Sequence, residues 1–322
     1  MYRLCILFFG LLPALNSGAQ SFDEFSVDKE VMVFVKGTFD DMKNFNLGVK
    51  CPEEENQWYL DSLDFSPWHV GDFNQDDIPD LFITGQEKKD QAHYLILGKD
   101  ELDTETGFSL IPVYPNKIRG NLVVPFIEET RNGPLIVFRH FKTETTTQVK
   151  DGIEVRLPKT YNDYYKLGLI KRDTLVFKFD GMLEYNPRPG SKPIRFVQIH
   201  SFCQFGGCPD FRMKIDSSGY MLLSNIKNTD EAAGLYSAQC DTGQTRLILE
   251  LANYLRLQKA SQSFGEESAD RTMTAIISYQ DGSAITWYDY EQGATLGISR
   301  LYNLLLQAKK SAIWEYRQEL SE

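Results

Sequence analysis

Along most of the chain, apolar residues come in short runs that alternate with polar ones, and turn-forming residues interrupt them at close intervals. From Phe22 to about Tyr185 this period-two pattern predicts strands and no helix. Val31-Met32-Val33-Phe34-Val35 reads as a strand closed by Lys36-Gly37, and Ala92 to Leu97, Phe108 to Val113, Leu122 to Phe126 and Leu135 to Phe138 continue a meander. Thr174 to Phe179 and Met182 to Tyr185 flank Asp180-Gly181, the sequence of a tight hairpin. The expected fold of this half is all-β, a sandwich-like meander or a propeller fragment. It shows no internal repeat of the kind a complete propeller requires.

Asn186-Pro187-Arg188-Pro189-Gly190-Ser191-Lys192-Pro193 cannot continue a ladder, because proline lacks the N–H that a central strand donates. It predicts a linker at 188–193, between an all-β domain at 20–187 and a second domain at 194–322. Beyond it the pattern becomes α+β. Ile194 to Ser201 reads as a strand, and Phe211 to Ile215 and Tyr220 to Leu223 pair around Asp216-Ser217-Ser218-Gly219. Leu247, Ile248, Leu251, Tyr254 and Leu255 recur at helical spacing, as do Ile298, Leu301, Leu304, Leu305 and Ala308. Between the two helices, Thr272 to Tyr279 and Ala284 to Tyr288 form a hairpin around Asp281-Gly282.

A length of 322 residues, 42% of them hydrophobic, suffices for about two packed domains. The net charge of -11 argues against nucleic acid or anionic lipid as the main partner. At the start, Arg3, the apolar run Leu4 to Leu12 and the small residues Ser17-Gly18-Ala19 have the order of a signal peptide over 1–19. The expected destination is the periplasm or the extracellular space. No later apolar run approaches the roughly 20 residues of a transmembrane helix, so no membrane span is expected.

The stretch richest in chemistry runs from Asp72 to Asp80. Side-chain oxygens fall at Asp72, Asn74, Asp76 and Asp80, and alternate residues of a curled loop turn inward, so hard donors converge. The carbonyl of Ile78 would complete a calcium site. The position of the bidentate Glu of an EF-hand is held by Ile83, and both flanks read as strands. The segment resembles the calcium loop of FG-GAP or VCBS-type repeats, with one departure: Asp77 stands where that loop has glycine. That position wants φ > 0, which Asp tolerates less well than Gly. The alternative reading is a solvated acidic β-turn. His69 beside the loop is either a neighbour of the metal ligands or simple packing.

After the leader the cysteines are Cys51, Cys203, Cys208 and Cys240. In an oxidising compartment Cys203 and Cys208 are disulfide candidates across the turn Phe205-Gly206-Gly207. Free thiols, or a loosely spaced zinc site of His200, Cys203, Cys208 and Cys240, are the lesser alternatives. Residues 195–314 resemble a bacterial domain family of unknown function, common in exported proteins of Bacteroidetes-type organisms, whose signature is Cys-Phe-Gly-x-Cys-Pro-x-Tyr. Here it reads Cys203-Gln204-Phe205-Gly206-Gly207-Cys208-Pro209-Asp210-Phe211, one residue longer between the cysteines and with Phe for Tyr. The resemblance implies no activity.

No Gly-x-Ser-x-Gly, His-Glu-x-x-His or phosphate-cradling glycine loop is present in the sequence. Tyr161-Asn162-Asp163-Tyr164-Tyr165 is either a ligand platform or an ordinary loop. The expected function is an exported, non-enzymatic binding or structural protein with a calcium-stabilised β domain and a protein or glycan ligand. The alternative is a glycan- or peptide-directed hydrolase with its site between the domains.

Overall fold

The structure, a computed structural model, describes residues 22–50, 60, 61, 63, 65–88, 90–98, 107–113, 121–142, 147–150, 153–156, 170–203, 207–227, 232–255, 262–265, 271–290 and 294–318. The expected signal peptide, Cys51 and the Tyr161–Tyr165 stretch lie outside these. Two compact units are present, residues 1–117 and 118–322.

The first unit opens with a helix where strand was expected: α1 spans Asp28–Thr38. Its β-branched run favours strand locally, but Val31, Phe34 and Val35 lie one helical turn apart and all three are buried. Glu30 starts the helix by accepting hydrogen bonds from the N–H groups of Ser26 (2.8 Å) and Val27 (3.2 Å). Phe22 and Phe34 pack edge to face, and both rings meet Phe108. Tertiary burial therefore overrides propensity in this segment.

Five strands follow, β1 (Phe45–Leu47), β2 (Trp68–Gly71), β3 (Asp80–Glu87), β4 (Asp90–Gly98) and β5 (Phe108–Pro112). β3, β4 and β5 form the expected antiparallel meander, while β1 and β2 both pair with β3. Gly85 permits the close crossing of β1. A Cβ there would lie 2.1 Å from the Asn46 carbonyl oxygen and 2.6 Å from the Phe45 ring.

In the second unit, β6 (Asn121–Glu128), β7 (Leu135–Lys142), β10 (Ile170–Lys178) and β11 (Gly181–Glu184) make a four-stranded antiparallel sheet, and β8 (Thr147–Lys150) pairs with β9 (Ile153–Arg156). The hairpin β10–β11 forms as expected, but its two turn residues are Phe179 and Asp180, at φ 54° and 56°. The turn thus sits one residue earlier than Asp180-Gly181. Phe179 gains packing against Tyr254 (5.5 Å between ring centroids), and its carbonyl accepts from Arg300 Nε at 2.9 Å.

The rest of the unit is a sheet of eight strands: β12 (Ile194–Cys203), β13 (Asp210–Asp216), β14 (Tyr220–Lys227), β15 (Gly234–Gln239), β16 (Gln262–Phe264), β17 (Arg271–Tyr279), β18 (Ala284–Tyr290) and β19 (Glu315–Gln318). Helices α2 (Thr242–Tyr254) and α3 (Leu296–Ser311) supply Ile248, Leu251, Leu301 and Leu305 to one core with Val197, Met213, Leu223 and Ile277 of the sheet. The α+β reading of this region holds.

The expected domain boundary at 188–193 falls inside this unit. The prolines do end one ladder and separate it from the next, but Leu135, Val176 and Leu183 of the four-stranded sheet belong to the same buried core as the helices. Asn186 is buried and donates its N–H to Tyr254 Oη at 2.8 Å. Gly190 N–H reaches the Asn253 carbonyl at 3.0 Å. The segment crosses between two sheets and is tied to α2 through Tyr254 and Asn253.

Glu184 joins β11 to α3. Its two carboxylate oxygens accept from the N–H groups of Leu296 (2.7 Å) and Gly297 (3.0 Å), donors that a helix cannot satisfy internally. Replacing Glu184 with Ala strands both donors in a half-buried site. Chemical denaturation is expected to show a loss of about 1–3 kcal/mol, with Glu184→Gln intermediate. A change within about 0.5 kcal/mol, the range of an ordinary surface substitution, would refute this role for Glu184.

Candidate functional site

The acidic segment forms the loop between β2 and β3, where Gly71 is the register partner of Asp80. Gln75 and Asp77 sit in the left-handed region at φ 64° and 66°, which curls the chain tightly. Asp77 therefore adopts the conformation expected of it, and Gln75 is a second, unforeseen residue in that region.

The curl is held by side-chain oxygens accepting from the loop's own amides. Asp72 Oδ1 and Oδ2 accept from the N–H groups of Asp76 and Asp77, both at 3.1 Å. Asn74 Oδ1 accepts from Asp76 N–H at 3.1 Å, and Asp76 Oδ1 from Ile78 N–H at 2.9 Å. The Asn74 amide donates to Asp76 Oδ2 at 2.7 Å. These bonds use part of the acceptor capacity of each oxygen, since a carboxylate offers about four lone-pair sites.

Asp80 is fully buried and sits at the centre. Its Oδ2 accepts from Phe73 N–H (2.8 Å) and Asn74 N–H (3.3 Å), and its Oδ1 from Gly98 N–H (3.0 Å) at the end of β4. Gly98 allows the contact, because a Cβ there would lie 2.5 Å from the Pro79 carbonyl oxygen. Burial pushes the Asp80 carboxyl up to about 7; the three amides oppose the rise and the Asp76 charge adds to it. His69 packs edge-on against Phe73, 6.3 Å between ring centroids.

The donors are all oxygen, the kind calcium takes, and all four side chains belong to one loop. Among the described residues, however, no three His, Cys, Asp or Glu side chains are gathered as a metal site. The oxygens instead address the loop's amides, and Ile78 enters this network through its N–H.

In the second unit Cys203 and Cys208 are joined in a disulfide with Cα atoms 5.7 Å apart, as the spacing suggested. The two sulfurs are thereby withdrawn from the zinc alternative. Cys240 is buried, with Sγ 3.7 Å from Gln244 Oε1, and burial raises its thiol above the ordinary range, which keeps it protonated. The disulfide links the end of β12 to the entry of β13, where His200 Nε2 lies 3.3 Å from Asp210 Oδ1. Burial holds the His200 pKa below its usual value.

One cavity was not legible in the sequence, because its lining comes from β14, β15, α3 and β19. It measures about 570 Å³ and is bordered by Cys240, Asp241 and Arg317. Arg317 is already engaged there, by Ser237 Oγ at 2.6 Å and Glu315 at 3.0 Å.

Two outcomes follow from this geometry. The raised carboxyl of Asp80 means that, as pH rises from about 4 to about 7, the unfolded chain has released a proton that the native state still holds. In chelator, wild-type stability relative to Asp80→Asn is expected to fall across that interval and level off above about pH 7; a rising or flat difference contradicts it. Replacing both Cys203 and Cys208 with Ser is expected to cost about 2 kcal/mol, since the closed loop is short. Urea titration of the double variant checks this, and loss of folding would show that the bond holds more than its own turn.

Residues 197–309, about a third of the chain, match the model of a family described as a domain of unknown function (DUF6438). The match takes in the disulfide, both helices and most of the eight-stranded sheet. No curated protein and no solved structure matches the chain. The C-terminal region is thus similar to a family that brings no activity with it.

Proposed function

We propose that this is an exported, non-enzymatic binding or structural protein whose first unit is stiffened by calcium. The observation that carries the reading is Asp80, a fully buried carboxyl that accepts from three amides and, among the described residues, from no cationic side chain. A divalent ion drawn into the loop would offset the charge of Asp80 and Asp76 together, which neutral amides do only in part. Asp72, Asn74 and Asp76 are the remaining donors, each with acceptor capacity beyond its bond to the loop. Ion binding would require Asp72 and Asp76 to turn some of that capacity inward. The leader-like start of the chain and the disulfide both suit an oxidising compartment outside the cytoplasm.

Calcium is expected to raise the melting temperature in proportion to the logarithm of its concentration once binding begins, reaching about 2.7 kcal/mol of stabilisation at a hundred times Kd. Asp72→Asn keeps acceptors for Asp76 and Asp77 but removes a charged ligand, so it is expected to abolish most of the shift. A wild-type melting temperature that ignores millimolar calcium would overturn the proposal.

A further inference from the structure

β19 ends the eight-stranded sheet, and among the described residues no strand pairs with its outer edge. All four of its residues, Glu315–Gln318, are exposed. The outward N–H and C=O groups of such a strand are a template for another strand unless the sequence discourages it. Exposed apolar side chains gather here as well. Tyr316 on the strand is 52% exposed, and Ile313 just before it is 90% exposed.

Charge commonly protects an edge, because like charges placed opposite one another destabilise a strand pair. β19 instead carries both signs. Glu315 and Arg317 share one face, where the guanidinium lies 3.0 Å from the Glu315 carboxylate and its Nε donates to Ser237 Oγ at 2.6 Å. The bond to Ser237 ties the cation to β15, so the pair is ordered before any partner arrives. Tyr316 takes the other face, its ring edge-on to Tyr236 with 5.4 Å between centroids.

Symmetry limits how two copies can pair along this edge. Residues opposite one another in a sheet lie on the same face, so the two-fold axis of an antiparallel pair must fall on a residue position. Two registers pair most of β19. With the axis at Arg317, two guanidinium groups stand opposite each other, which is repulsive. With the axis at Tyr316, Glu315 of each copy stands opposite the partner's Arg317. Opposed Cβ atoms are then about 4.5–5.5 Å apart, so the charges alternate in sign around a square. On the other face the two Tyr316 rings meet across the axis and extend each Tyr236–Tyr316 pair into one row.

We propose that β19 is a self-association edge, on which a second copy of this chain pairs antiparallel in the register centred on Tyr316. The second copy carries the complementary charges in the required order by construction. The edge belongs to the second unit and does not involve the calcium loop.

The test is sedimentation equilibrium of the full chain in chelator, into the high micromolar range, for wild type, Glu315→Arg, Arg317→Glu and an equimolar mixture of the two variants. Wild type is expected to show a monomer–dimer equilibrium. Each variant alone sets like charges opposite one another and should weaken dimerisation about a hundredfold, since the two-fold axis doubles every change. The mixture restores opposite charges across the pair and should regain dimerisation. Circular dichroism checks that both variants are folded. Tyr316→Cys is a second probe, because the register puts both introduced thiols at the axis, within disulfide range, and mild oxidation should give a covalent dimer above the wild-type background. Wild type that stays monomeric throughout overturns the proposal. So do single variants that dimerise as wild type does, a mixture that dimerises no better than its components, or a Tyr316→Cys chain that cross-links no more than wild type.

Discussion

The hydrogen bonds that converge on Asp80 are the constraint on which the acidic loop of the first unit depends. One carboxylate, buried to 0% exposure, ties the start of the loop at Phe73 and Asn74 to the end of β4 at Gly98. That places a charge where solvation cannot reach it, and the raised pKa is the consequence. Among the described residues, the carboxyl that holds this loop together is bonded by backbone amides and by no cationic side chain. Protonation and cation binding are the two physical ways to relieve it.

The second unit is organised by burial rather than by charge. Two sheets share α2 and α3, and the crossing between the sheets is fixed by Asn186, Tyr254 and Gly190. Glu184 then serves α3 as a residue from a different sheet.

Most strands of the chain were legible because a half-buried strand must alternate, and both C-terminal helices were legible because Leu251, Leu301 and Leu305 recur at helical spacing. α1 was not, since Val31 to Val35 satisfies a strand pattern and only the tertiary contacts of Val31, Phe34 and Val35 select helix. The hairpin at β10–β11 was legible but its register was not: Phe179 at φ 54° is paid for by packing on Tyr254, which no local rule contains. Of the candidate site, the oxygens of Asp72, Asn74, Asp76 and Asp80 could be read from their spacing. The amides they serve could not, because these depend on the left-handed turns at Gln75 and Asp77. The disulfide was legible from Cys203 and Cys208.

The proposal that calcium stiffens the first unit rests on the burial of the Asp80 carboxyl. The charge state of Asp80 connects this reading to a direct observable. Following its side-chain carboxyl carbon by NMR through a pH titration, with and without calcium, is the most direct measurement. Titration near pH 7 in chelator, moving below the ordinary carboxylate range when calcium is added, is the expected result. A midpoint that calcium leaves in place would contradict the account.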